Sequence, residues 1–106
     1  MKRQVQTIST YEKDNELYIG DYSFKSLADT YKTPLYVFDE AHLRYKLDIF
    51  KNEFKSNKYK CVTIYASKAF YCPYLANIIN DYGFGIDSVS YGDLFLFKKA
   101  NFLFLR

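Results

Sequence analysis

The apolar positions of this chain fall into short continuous runs that are separated by segments with helical spacing. The runs predict five strands, at residues 16–19, 35–38, 62–66, 85–89 and 102–105. Between them, apolar residues at intervals of three and four predict four helices, over 24–31, from 39 to about 55, over 73–82 and over 90–99. Residues 1–15 are polar without a clear period, which predicts a loose lead-in.

Residues that begin and end helices support these boundaries. Ser23 and Asp39 lie where an N-cap is needed, and Pro73 suits the first turn of a helix. Pro34 and Gly83 are natural stops after the helices that precede them. These three helices therefore have a local signal at one end or at both.

Strand and helix alternate from residue 35 onward, which favours parallel βαβ units in an α/β fold. Two architectures fit: a small open doubly wound sheet, or the first part of a (β/α)8 barrel. A whole barrel takes about 250 residues. The 106 residues of this chain could therefore form about three of its eight units.

Composition narrows the class of protein. The net charge is +3 and the basic residues are scattered, so no nucleic-acid partner is predicted. The longest apolar stretch, residues 94–105, is broken by two lysines, and the N-terminus lacks the apolar core of a signal peptide, which together predict no membrane span and a cytoplasmic location. Cys61 and Cys72 have no metal or redox spacing and are predicted to be buried thiols, and His42 is predicted to be a solvated surface residue.

Lys68 follows the apolar run at residues 62–66 and therefore lies at the carboxyl end of a predicted strand. This end of a strand carries the chemistry in barrels and in open α/β folds. A lysine held there can lose solvation and form a Schiff base with a carbonyl compound. Position alone still favours a solvated lysine, and Tyr65 in the same run is predicted to serve packing.

Four segments, in order and with consistent spacing, resemble motifs of diaminopimelate decarboxylase. They are residues 17–20, 27–40, 65–70 (Tyr-Ala-Ser-Lys-Ala-Phe) and 83–94 (Gly-Phe-Gly-Ile-Asp-Ser-Val-Ser-Tyr-Gly-Asp-Leu), and residues 98–102 are similar to the next segment of that family. The resemblance covers about residues 16–106. It implies the alanine-racemase-like fold, in which a pyridoxal 5'-phosphate-binding (β/α)8 barrel is joined to a separate β domain.

The resemblance also implies domains, activity and partners. Residues 1–34 would contain the lead-in, one strand of the β domain and a helix, and residues 35–106 would be the first part of the barrel, truncated. The family converts meso-2,6-diaminopimelate to L-lysine and CO2 with pyridoxal 5'-phosphate, and the full-length proteins are expected to be homodimers. Metal ligands are not implied.

By this resemblance, Lys68 is the residue that holds the cofactor covalently, and Asp87 lies beside it. Ala66 would leave room for the cofactor ring. Asp93 occupies a position where the family usually has glutamate, which makes it a weaker cofactor contact. Ser90 and Asp93 also have the spacing of a capping box, and we expect capping to be the main role of Asp93.

The remaining site residues of the family, among them a glycine-rich phosphate loop, are expected beyond Arg106, which suggests a truncated or frameshifted product, or a fragment of a longer gene. An open parallel sheet edge would favour aggregation, and the chain by itself is not expected to decarboxylate. Three alternatives stay open: a barrel decarboxylase for ornithine or arginine, a non-catalytic pyridoxal-phosphate-binding barrel, and a small open α/β binding module without cofactor.

Overall fold

The computed structural model describes residues 7–100 and divides the chain into two compact units between Lys46 and Leu47. The helices of the described residues are α1 (Phe24–Tyr31), α2 (Glu40–Glu53), α3 (Pro73–Asp81) and α4 (Tyr91–Lys99). The strands are β1 (Thr10–Lys13), β2 (Glu16–Ile19), β3 (Tyr22–Ser23), β4 (Ile64–Ala66) and β5 (Gly85–Asp87). None of the described helices is long and apolar enough to cross a membrane. The predicted strand at residues 102–105 lies outside the described residues.

An antiparallel sheet in the order β1-β2-β3 forms the N-terminal unit together with α1. Asp14 and Asn15 connect β1 to β2 with φ angles of 52° and 60°, a left-handed two-residue turn that matches the twist of a hairpin. Tyr11 and Tyr18 are cross-strand partners whose rings stack at 5.2 Å. The prediction of a loose lead-in was therefore wrong for β1. The residues of β1 are mostly exposed and do not alternate between apolar and polar, so their pattern does not indicate a strand. The Asp14-Asn15 turn was the feature of the sequence that could have predicted this hairpin.

Helix α1 begins where the sequence predicts. The Ser23 side chain caps it by accepting a hydrogen bond of 3.0 Å from the backbone N–H of Ser26. Phe24, Leu27 and Ala28 are half-buried on one face. Tyr31, which was expected on that face, is exposed, because the helix ends at this residue.

Residues 35–38 do not form the predicted strand. They run without regular structure from Leu35 to the start of α2, and all four are exposed, Tyr36 completely so at 101%. A strand is stabilised by a neighbour that takes up its backbone N–H and C=O groups. No strand among residues 7–100 pairs with this segment, so its apolar composition alone does not produce a strand.

Asp39 caps α2, as predicted. Its Oδ1 atom accepts hydrogen bonds from the backbone N–H of His42 at 2.9 Å and from the hydroxyl of Ser9 at 3.0 Å. Partial burial opposes ionisation of this carboxyl group, but hydrogen bonds from Thr7, His42 and Ser9 outweigh it and hold the pKa of Asp39 below its ordinary value. His42 is half-buried and its Nδ1 atom accepts from the N–H of Ile8 at 3.2 Å, so the prediction of a solvated surface histidine is confirmed only in part.

The C-terminal unit has its core around α3. Pro73 is the first residue of this helix, and Gly83, with a φ of 71°, follows its end. One face of α3 is buried together with residues of the β5 and α4 segments: Leu75, Ala76, Ile78, Ile79, Phe84, Phe97 and Ala100. The buried face of α3 matches the helical spacing in the sequence. This core supports the short β4–β5 sheet on which the candidate site is built.

Candidate functional site at the carboxyl edge of the parallel strands

The strands β4 and β5 are parallel neighbours, paired with Ile64 opposite Gly85, Tyr65 opposite Ile86 and Ala66 opposite Asp87. Parallel strands present their carboxyl ends at the same edge of a sheet. Ala66 and Asp87 are the last residues of the two strands, and Lys68 lies in the turn two residues beyond Ala66. Three of the predicted site residues thus converge at one place, which we call the carboxyl edge and define as Ala66, Lys68 and Asp87.

The turn that carries Lys68 is held by hydrogen bonds on both sides. The N–H of Ala69 donates to the carbonyl oxygen of Ala66 at 3.1 Å, and the hydroxyl of Tyr65 donates to the carbonyl oxygen of Phe70 at 2.7 Å. Burial raises the pKa of Tyr65, with the neighbouring Cys72 adding to the effect, so its hydroxyl keeps its proton as a donor. Lys68 itself is exposed. Tyr65 therefore does more than pack: it fixes the shape of the lysine turn.

Sequence reasoning missed two buried polar groups near Lys68 in the sequence, the hydroxyls of Ser67 and Tyr71. Ser67 is only 4% exposed, and its hydroxyl has no hydrogen-bond partner among the described residues. The hydroxyl of Tyr71 is also buried without such a partner, while the Tyr71 ring packs edge-on against Phe97 at 4.7 Å. Burial, followed by the charges of Cys72 and Asp93, raises the pKa of Tyr71. In the sequence, Ser67 directly follows the apolar run at residues 62–66, and this position could have indicated that its hydroxyl is buried.

Asp93 serves as a helix cap, as predicted. Its Oδ2 atom accepts hydrogen bonds from the backbone N–H groups of Ser90 at 3.0 Å and Val89 at 3.1 Å. In return, the Ser90 hydroxyl accepts from the N–H of Asp93 at 3.2 Å, which completes a capping box at the start of α4. Contact of Asp93 with a cofactor stays a prediction.

Removing this cap should destabilise the chain. We expect Asp93→Ala to lower the free energy of unfolding by about 1 kcal/mol, because it leaves two backbone N–H groups without an acceptor. Asp93→Glu should lose much less, since glutamate is common at this position of a capping box. Urea unfolding followed by circular dichroism measures both. Asp48→Ala, at an exposed position of α2, is the control, and an equal loss there would argue against the cap.

The described residues contain no cluster of His, Cys, Asp and Glu side chains that could hold a metal ion. The two cysteines have separate environments. Cys72 is half-buried and caps α3, where its Sγ atom accepts from the N–H of Leu75 at 3.5 Å. Cys61 is exposed, so the prediction of a buried thiol was wrong for this residue, which precedes β4 outside the core.

These features place the chain among mixed α/β proteins that carry chemical groups at the carboxyl ends of adjacent parallel strands. Comparison with known proteins shows that it resembles part of diaminopimelate decarboxylase. It is 36% identical over 88 residues to the protein of that name from Aquifex aeolicus, covering 83% of this chain and 20% of that protein. The Bacillus subtilis protein of the same name is 36% identical over 94 residues, covering 89% of this chain and 21% of its own length.

A solved structure titled diaminopimelate decarboxylase from M. jannaschi matches with a TM-score of 0.75 at 29% identity, over 91% of this chain and 23% of that one. A second solved chain, from Aquifex aeolicus, matches with a TM-score of 0.67 at 34% identity, over 89% of this chain and 23% of its own length. No family model matches the chain. The resemblance predicted from the motifs is confirmed, and the chain spans about a fifth of the length of the curated relatives that it matches.

Proposed function

We propose that this chain is the cofactor-lysine segment of a diaminopimelate decarboxylase, a pyridoxal-phosphate-dependent carboxy-lyase that converts meso-2,6-diaminopimelate to L-lysine and CO2. The observation that carries the proposal is the carboxyl edge, where a lysine and a carboxylate follow adjacent parallel strands. The resemblance to proteins of that name supports the choice of reaction and of substrate.

The residues of the carboxyl edge fit pyridoxal 5'-phosphate. Its aldehyde requires a primary amine, and Lys68 presents one at the surface on a turn that hydrogen bonds hold in place. The methyl side chain of Ala66, at the end of β4, occupies little space beside that turn. When bound, the cofactor supplies an electron sink for the carbanion that remains after CO2 departs.

Asp87 would act on the lysine amine. It lies on the strand beside β4, opposite Ala66 in the pairing. A carboxylate at this edge could accept and return a proton at the Nζ atom of Lys68 once the site is assembled. In this arrangement Lys68 binds the cofactor, and Asp87 helps to control where the proton of that amine resides.

The surroundings of the site are part of the proposal. By the resemblance to diaminopimelate decarboxylase, the β4–α3–β5 unit, whose two strands are parallel neighbours joined by a helix, would belong to a (β/α)8 barrel. The antiparallel β1–β3 sheet would belong to a separate β domain. A homodimer is proposed from the resemblance alone.

Reductive trapping tests the cofactor site. Incubation of the chain with pyridoxal phosphate, followed by borohydride, should add the mass of one phosphopyridoxyl group, and peptide mapping should locate it on Lys68. We expect no CO2 from diaminopimelate with this chain, because Lys68 and Asp87 are both exposed to water and the reacting centre would not be sequestered. An adduct spread equally over other exposed lysines, such as Lys25 and Lys58, would contradict the proposed site.

A further inference from the structure

A lysine-rich pocket of about 610 Å³ lies in the C-terminal unit, apart from the carboxyl edge. We call it the basal pocket and define it by Lys51, Lys55, Tyr59, Lys60 and Tyr82, which line it from the end of α2, the loop before β4 and the end of α3. Its volume falls within the roughly 300–1,000 Å³ that small-ligand sites occupy. The pocket is therefore large enough for an organic ligand.

The basal pocket is at the opposite edge of the sheet from Lys68. Thr63 and Phe84 also line it, and these residues immediately precede β4 and β5. Lys68 follows β4, whose three residues span about 10 Å at the usual rise of a strand. The proposed decarboxylase chemistry thus leaves the lysines of this pocket without a role.

The charged residues that line the pocket are all basic. Lys51, Lys55 and Lys60 line it, whereas no aspartate or glutamate does. Among residues 7–100, no carboxylate forms an ion pair with any of these three lysines. Two of the amines have neutral neighbours: the Lys51 amine lies 5.6 Å from the centre of the Tyr82 ring, and the Lys55 amine lies 3.5 Å from the side-chain oxygen of Asn52. An anion with several charges would be attracted by all three lysines of the lining.

Aromatic surface accompanies this charge. Tyr59 is 76% exposed beside the lysines, and the Tyr82 ring already faces the Lys51 amine. Lysines bind phosphate as point charges, and exposed aromatic rings stack on nucleobases. A ligand that combines several phosphates with a flat ring would use both kinds of group.

We propose that the basal pocket binds a nucleoside polyphosphate, with Lys51, Lys55 and Lys60 at the phosphates and Tyr59 stacked on the base. This site is independent of the proposed cofactor site. Occupation of the pocket would bring the loop before β4 and the end of α3 together around one ligand, at the edge of the sheet opposite Lys68.

Binding of ATP to the 106-residue chain, measured by isothermal titration calorimetry at low ionic strength, tests the proposal. We expect the triple variant K51Q/K55Q/K60Q to raise the Kd for ATP by at least about tenfold. The triple variant K13Q/K25Q/K32Q changes the net charge by the same amount at exposed positions of the N-terminal unit, and it should change the Kd less than about twofold. Equal weakening in both variants would reveal non-specific attraction and overturn the proposal, as would the absence of ATP binding at about 1 mM.

Two further variants separate the contribution of the base from that of the phosphates, and the nucleotide site from the cofactor site. Tyr59→Ala should weaken ATP binding and leave tripolyphosphate binding unchanged, because only the base uses the ring. Lys68→Ala should keep the ATP affinity of the original chain, so this variant tests the nucleotide site separately from the cofactor site. The three pocket lysines are exposed, so the triple variant should keep its circular dichroism spectrum. If it does not, the single change Lys60→Gln, in the loop before β4, must still weaken ATP binding.

Discussion

Replacing Lys68 with alanine should abolish the borohydride-reducible adduct between the chain and pyridoxal phosphate. The adduct requires a primary amine that can reach the aldehyde, and Lys68 presents one on a turn held by the Ala69–Ala66 and Tyr65–Phe70 hydrogen bonds. The measurement is the mass of the reduced protein, with peptide mapping of any remaining label. We expect the label at the peptide that contains position 68 to disappear.

Two matched variants test whether the loss of the adduct is specific to the amine of Lys68. Lys68→Arg keeps the positive charge but removes the reactive amine, so it should lose the adduct as completely as alanine does. Lys58→Ala removes an exposed lysine of the loop before β4 and should leave the adduct unchanged. Full labelling of the Lys68→Ala chain would rule out the cofactor-lysine role. That outcome would favour a small α/β binding module without cofactor.

A chimera extends the test to the whole reaction. Residues 16–100 of this chain would replace the matching segment of the Aquifex aeolicus protein, to which the chain is 36% identical. We expect the chimera to release CO2 from diaminopimelate and its Lys68→Ala form to lose this activity by several orders of magnitude, because the cofactor would lack its covalent anchor. Labelling at Lys68 without CO2 release would instead favour a non-catalytic cofactor-binding barrel. Comparison with ornithine and arginine as substrates addresses the related decarboxylases.

Phe97→Ala should be the most destabilising single change in the C-terminal unit. The side chain is only 1% exposed and packs edge-on against Tyr71 with ring centres 4.7 Å apart. Removing a buried phenyl group from a packed core costs about 3–5 kcal/mol through lost burial and the cavity that remains. Single domains of this kind are stable by only about 5–15 kcal/mol, so the change should remove much of the stability that the unit has. Urea unfolding followed by the tyrosine circular dichroism signal measures the loss.

Phe95→Ala is the matched control, because it makes the same substitution in the same helix. Phe95 is 54% exposed, and its ring lies 5.0 Å from the Lys99 amine. The change in helix propensity is the same at both positions, so the difference between the variants reports core packing. We expect a loss below about 1 kcal/mol for Phe95→Ala. Similar losses at both positions would show that the core around α3 does not depend on Phe97.

Most of the helical structure was predictable because its signals act within a few residues. Ser23, Pro73 and the Ser90–Asp93 pair mark helix starts through contacts that span at most three residues, and the structure has each helix start there. The strands were less predictable. The apolar segment at 35–38 forms no strand among the described residues, whereas the polar β1 does, because pairing with β2 stabilises it.

The candidate site likewise combines features that the sequence predicts with features that depend on the tertiary structure. Motif resemblance selects Lys68 and Asp87, but their common edge depends on the parallel pairing of Ala66 with Asp87 across 21 positions of sequence. The role of Tyr65 depends on a hydrogen bond that exists only when the chain turns back after Lys68. The basal pocket is likewise assembled from separate segments, and the basic character of its lining is visible only in three dimensions.

Residues close together in the chain were enough to specify the helices with their caps and the motif resemblance that selects Lys68. These features depend on the spacing and identity of near neighbours. Contacts between distant residues were needed to establish which apolar segments become strands, which residues meet at the carboxyl edge, and that the hydroxyls of Ser67 and Tyr71 are buried. Strand pairing and burial depend on such contacts, and a residue's own sequence neighbourhood does not specify its partner.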